Sequence, residues 1–161
     1  MAGSGVGGRE EWALSDAMNT GEVHKALSVA LRHQGESVLR MSLMAGMLRG
    51  IGGAAVKERL RSFVLAELED TYLLVEKMSA LGGTPSMSLG DVEIPRAPEE
   101  AINVLLEHEV EAVASLHAVI PHSGQEPRSE ALEHLLEHVI RRKQQQIDYL
   151  WHAADRDEPL G

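Results

Sequence analysis

The sequence predicts an all-α domain, a four-helix bundle of two antiparallel helix pairs joined by a long crossover. Three observations predict it. Apolar residues make up 43% of the 161 residues but aromatics only 3%, so the core is aliphatic, without the aromatic and β-branched clusters that favour sheets. Four long stretches repeat apolar residues every three or four positions, the period of a helix with one buried face. The breaks between these stretches run short, long, short.

Residues 1–20 form a Gly-rich N-terminal segment, expected to be partly mobile, with a helical turn over 10–18 that could dock Trp12 and Leu14. Gly3, Gly5 and Gly8 fit G-x-G-x-x-G, but no strand precedes them, so a dinucleotide loop is not expected. The bundle covers residues 21–155, and 156–161 form a tail. The first helix is expected from Glu22 to Arg49, ended by Gly50, Gly52 and Gly53. The second runs from Val56 to Leu81, stopped by Gly82 and Gly83 with Pro85 beyond. The third opens at Pro98, with Glu99 and Glu100 at its positive dipole end, and stops before Pro121. The fourth begins near Pro127 or Ser129 and ends near Ala154. The long link GGTPSMSLGDVEIPRAP separates the second helix from the third. Fifteen extended residues reach roughly 50 Å, more than the roughly 39 Å of a 26-residue helix. The link can therefore travel the whole length of the bundle.

Composition narrows the function. A formal charge of -10 repels phosphate backbones, so nucleic acid is not an expected partner. The absence of cysteine excludes disulfides, thiolate metal sites and thiol nucleophiles. No stretch is apolar enough to span a bilayer, and the N-terminus does not read as a secretory signal, which suits a cytoplasmic protein.

The inward stripe of each helix is apolar except near its middle. Gln34 interrupts the first, Glu67 with Asp70 the second, Glu109 the third, and Lys143 with Gln146 the fourth. Buried charge without a partner is costly, so these groups are expected to meet each other, a metal, water or a ligand. Tyr149 lies near the last of them and could donate a hydrogen bond inward, and His33 could reach the edge. Met41, Met44 and Met47 read as core filling. The acid and imidazole pairs on the last helix, Glu133, His134, Glu137 and His138, read as a solvated face, and Arg141 and Arg142 as surface pairs.

The segment from Glu67 to Pro85, ELEDTYLLVEKMSALGGTP, resembles the second helix and following loop of bacterioferritins and of the DNA-protecting mini-ferritins. The ending Gln146-Ile-Asp-Tyr-Leu resembles the last bacterioferritin helix. The resemblance covers about residues 22–154 and implies the ferritin-like fold, with a homodimer or larger oligomer as its assembly. It also implies a di-iron centre made of one Glu from the first helix, Glu-x-x-His from the second, Glu from the third and Glu-x-x-His from the fourth. Carried over, the first Glu falls on Gln34. Glu67 and Glu109 keep their place, and Asp70 stands at the His position of the second helix. In the fourth helix Lys143 takes the Glu position and Gln146 the His position.

An ammonium cannot ligate and repels a cation, and two irons need several carboxylates. The departure implies a degenerate centre in which Lys143 pairs with Glu67, Glu109 and Asp70, leaving a metal-free pocket for a small molecule or for acid/base chemistry. The alternatives are a single weakened iron site on Glu67, Asp70 and Glu109, or a structural subunit. The mini-ferritin intersubunit site is broken, since Glu76 matches but Tyr72 stands where an Asp is needed. Haem is not expected, because Leu68 takes the place of the ligating Met.

Overall fold

A computed structural model describes residues 17–154. The helical turn expected around Trp12 and Leu14 falls outside the described residues, as does the tail. Within them are four long helices: α1 (Thr20–Met47), α2 (Gly50–Ala80), α3 (Pro98–His117) and α4 (Pro127–Ala153). A short 3-10 turn, Ile120–His122, links α3 to α4.

The helix ends have local causes. Asn19 caps α1 by accepting from the Glu22 N–H at 3.2 Å. Pro98 opens α3 and Pro127 opens α4, where the missing proline N–H would have had no partner anyway. Glu126 and Ser129 form a reciprocal capping box on α4. Gly82, at φ 86°, ends α2, and the Gly83 N–H turns back to Met78 O at 3.0 Å.

The largest departure from expectation is the start of α2. The glycines at 50, 52 and 53 read as a stop followed by a loop, yet the helix begins at Gly50 and includes all three. Only Leu48 and Arg49 lie between the helices, both extended, with Gly50 at φ 78° after them. A two-residue turn needs the left-handed conformation that glycine supplies, so Gly50 makes the turn and the others start the helix.

In cross-section the helices form a ring, each packed on two neighbours: α1 on α2 and α3, and α4 on α2 and α3. The crossover, residues 81–97, runs along the outside of α1. Gly90 N–H lies 3.4 Å from Glu36 Oε1, and Leu89 comes so close to Gly35 that a Cβ there would stand 2.9 Å from its methyl. Ile94 then packs into the core near the start of α3.

The core is split in two. One half gathers Leu27, Leu31, Leu74, Leu116, Leu132 and Leu136 at the end where the chain enters α1. The other gathers Met41, Met44, Leu60, Leu105, Ile147 and Leu150 at the opposite end. Between the halves lies a layer of buried polar side chains.

Candidate functional site

Each helix contributes to the layer at the height where its apolar stripe is interrupted. Gln34, Glu67, Asp70, Glu109 and Lys143 are 0% exposed and Gln146 is 1%. The stripe that marked them in the sequence therefore had the right phase on all four helices.

Lys143 is the hub. Its Nζ donates to Glu109 Oε2 at 2.8 Å and to Glu67 Oε1 at 3.1 Å, with Ser37 Oγ at 3.5 Å. The other Glu67 oxygen accepts from Gln34 Nε2 at 2.7 Å. The other Glu109 oxygen accepts from the Ser37 hydroxyl in a short hydrogen bond. All four carboxylate oxygens of the two glutamates are thus engaged. Burial pulls the Lys143 pKa down, but Glu109 and Glu67 together outweigh it, and the value lies above that of an ordinary lysine. Lys143 is therefore held as an ammonium. Glu67 moves the other way from a normal carboxyl: burial, helped by the nearby Glu109 charge, raises its pKa despite Lys143 and Gln34. Two carboxylates share one ammonium, and burial makes Glu67 hold its proton more readily than an ordinary glutamate.

Asp70 does not join this triad. The sequence reading paired it with Lys143, whereas its carboxylate turns one helical turn away. Arg142 Nε lies 3.4 Å from one oxygen and His138 Nε2 lies 3.6 Å from the other. Neither Asp70 oxygen has a hydrogen bond among the described residues. Burial raises the Asp70 pKa, with Arg142 and then His138 opposing that rise. The Arg142 guanidinium also reaches Ala66 O at 3.4 Å and His138 Nε2 at 3.0 Å. It is a partner to a buried acid, not the surface pair expected from its neighbours in sequence.

Among the described residues, buried Gln146 has neither amide atom hydrogen-bonded, and Gln34 Oε1 is likewise unpartnered. Tyr149 stays outside the layer. Its ring packs edge-to-face on Phe63 at 5.5 Å and beneath the Arg59 guanidinium at 5.4 Å. His33 is half-buried and has no hydrogen bond at Nδ1; burial and then Arg32 lower its pKa. His134 and Glu137 face solvent, as expected.

Ser37 is the member that sequence reasoning missed. Counting four residues from Gln34 gives Val38, and counting three gives Ser37. The serine is the buried one, at 1% exposure.

The ferritin-like domain model matches residues 24–157. The chain belongs to the ferritin-like family. Its fold is similar to that of a ferritin-like, diiron-carboxylate protein from Bacillus anthracis str. Ames. That crystal structure superposes with a TM-score of 0.78 at 19% identity, over 84% of this chain and 97% of the other. No curated protein matches the sequence.

The resemblance read in the sequence implies a pair of irons at these positions. The residues present do not fit that pair. Glu67 and Glu109 retain ligand chemistry, but the Lys143 ammonium already lies within 3.1 Å of both. Gln34 and Gln146 offer neutral amides where carboxylate and imidazole would serve. Among the described residues, no three His, Asp or Glu side chains converge in a group that could hold a metal ion. Nor is any described helix long and apolar enough to cross a membrane.

Proposed function

We propose that this chain is a ferritin-like protein that performs no di-iron chemistry, and that Lys143 supplies the positive charge its centre needs. The single observation that carries this reading is the Nζ of Lys143, 2.8 Å from Glu109 and 3.1 Å from Glu67. A divalent cation between those carboxylates would have to displace an ammonium hydrogen-bonded to one oxygen of each and to Ser37 Oγ. The layer then serves to fix the register of the four helices, each of which contributes at least one member. Glu67, whose pKa burial raises, is a group within it suited to exchange a proton.

The test is ferrous-ion oxidation in air by the metal-stripped protein, followed optically. Oxidation no faster than in buffer supports the reading. Rapid oxidation of two irons per chain, abolished by Glu67→Gln, refutes it and restores the iron-handling alternative.

The Gln146 amide and Gln34 Oε1, unpartnered among the described residues, favour a second reading, a small polar molecule bound beside the triad. Buried amides without partners are costly, and a ligand that gave and accepted hydrogen bonds would relieve them. Heat-stability screening of the protein against small amides and polyols tests this: a shift that Gln146→Met removes supports it.

For assembly we propose a homodimer through the outer faces of α1 and α2. Leu39 and Leu43 on α1, with Leu65, Leu68 and Tyr72 on α2, are between 42% and 62% exposed. Exposed apolar side chains gathered on one face mark contact surfaces. Sedimentation of the wild type against Leu65→Glu/Leu68→Glu tests it, with a shift from dimer to monomer expected.

A further inference from the structure

A separate feature lies at the end of the bundle where α1 stops and α3 begins. A cleft of about 660 Å³ opens there, lined by Gly46, Met47, Arg49, Arg96 and Pro98. Its size falls within the roughly 300–1,000 Å³ of small-molecule sites. Two of its five lining residues are arginines and none is acidic, in a chain with a formal charge of -10. Neither Arg49 nor Arg96 has an ion pair or hydrogen bond among the described residues.

Both arginines are exposed, and backbone geometry fixes where each side chain leaves the chain. Arg49 caps α2 in an extended conformation, at φ -132° and ψ 164°, immediately before the left-handed Gly50. Arg96 lies between Pro95 and Pro98, on a short stretch with little freedom to turn away. The wall at Gly46 is open: a Cβ there would meet nothing within 4 Å. Beside the cleft a smaller recess shares Met47, Arg96 and Pro98 with it and adds Met44, Leu48, Pro95 and Ala101, so apolar side chains adjoin the Arg96 side of the cleft.

We propose that this cleft binds a small organic anion, with its carboxylate or phosphate held by Arg49 and Arg96 and its apolar body against Met47 and Pro98. Guanidinium forks match both oxyanions in planar geometry, and paired forks on one anion would offset the mutual repulsion of two like charges. The apolar lining at Met47, Pro98 and the adjoining recess argues for a ligand with a hydrocarbon part over a free inorganic ion. The site is remote from the Lys143 layer, so it stands or falls independently of the reading given to that layer.

Calorimetric titration of the full-length protein tests it with two probes, octanoate and inorganic phosphate, used separately. One probe is expected to bind once per chain. Arg49→Gln and Arg96→Gln are each expected to weaken binding by about tenfold or more, as loss of a charge-assisted hydrogen bond does, and Arg128→Gln to leave it unchanged. Tighter binding of octanoate identifies a carboxylate ligand with an apolar body, and tighter binding of phosphate a phosphorylated one. Failure of both probes to bind overturns the proposal, as does binding that survives the double arginine variant or weakens equally in Arg128→Gln. Binding that appears only after deletion of residues 155–161 would assign the cleft to the acidic end of the chain itself and also overturn it.

Discussion

Lys143→Met keeps most of the side-chain volume and removes only the charge. In the wild type the ammonium is 0% exposed and bonded to two carboxylates that are also 0% exposed. Methionine would leave Glu109 and Glu67 facing each other without a cation. Glu67 can relieve part of the repulsion by taking a proton, since its pKa is already raised by burial. Glu109 keeps only the Ser37 hydroxyl as a partner. Breaking a buried pair from one side costs about 3–5 kcal/mol. For a domain of this size that lowers Tm by roughly 6–20 °C. The same principle gives an internal control. Removing all the charge together, in Lys143→Met/Glu67→Gln/Glu109→Gln, is expected to recover at least half of the loss, because a neutral layer has no stranded ion. Urea unfolding followed by circular dichroism at pH 7 measures both. A loss below about 1 kcal/mol in the single variant, or a triple variant no more stable than the single, would refute the view of Lys143 as the layer's countercharge.

Three further outcomes follow from the same geometry. Glu67 gives up its proton near pH 4.5 in the unfolded chain but holds it to higher pH when folded. The native state therefore binds more protons above that value, and wild-type stability relative to Glu67→Gln should fall as pH rises from about 4.5 until the folded carboxyl itself titrates. Urea midpoints of the two proteins between pH 4 and 8 read the slope. Arg142→Met removes the main counterion of buried Asp70 and is expected to cost about 2–3 kcal/mol, most of it recovered in Arg142→Met/Asp70→Asn; thermal denaturation of both variants and the wild type checks this. Gln146→Met replaces a buried amide that has no partner with an apolar side chain of similar size, and is expected to stabilise the protein by about 1–2 kcal/mol. A loss of stability in that variant would favour the bound-ligand reading instead.

The bundle was legible in the sequence because the period of its apolar residues and the length of the 81–97 crossover both constrain the wiring. The layer was legible for the same reason: a polar residue on an apolar stripe stands out, and Gln34, Glu67, Glu109, Lys143 and Gln146 all did. What escaped was set by side-chain reach across helices, which periodicity does not encode. Arg142 follows a basic residue and precedes Lys143, so it reads as surface, yet its long side chain crosses to Asp70 on α2. His138 lies between outward neighbours and still reaches the same acid. Ser37 is small and mildly polar, and a serine on a stripe carries little signal until Glu109 is known to lie opposite. Gly50, Gly52 and Gly53 read as a loop because glycine is a poor helix former, but packing of the rest of α2 offsets a weak first turn.

Anomalous scattering from crystals grown with ferrous or manganous ions tests the central claim most directly. The expected map shows the Lys143 side chain between Glu67 and Glu109, with Nζ near 3 Å from both and no anomalous peak in the layer. Two anomalous peaks bridged by Glu67 and Glu109, with Lys143 swung aside, would contradict it and return the centre to metal chemistry.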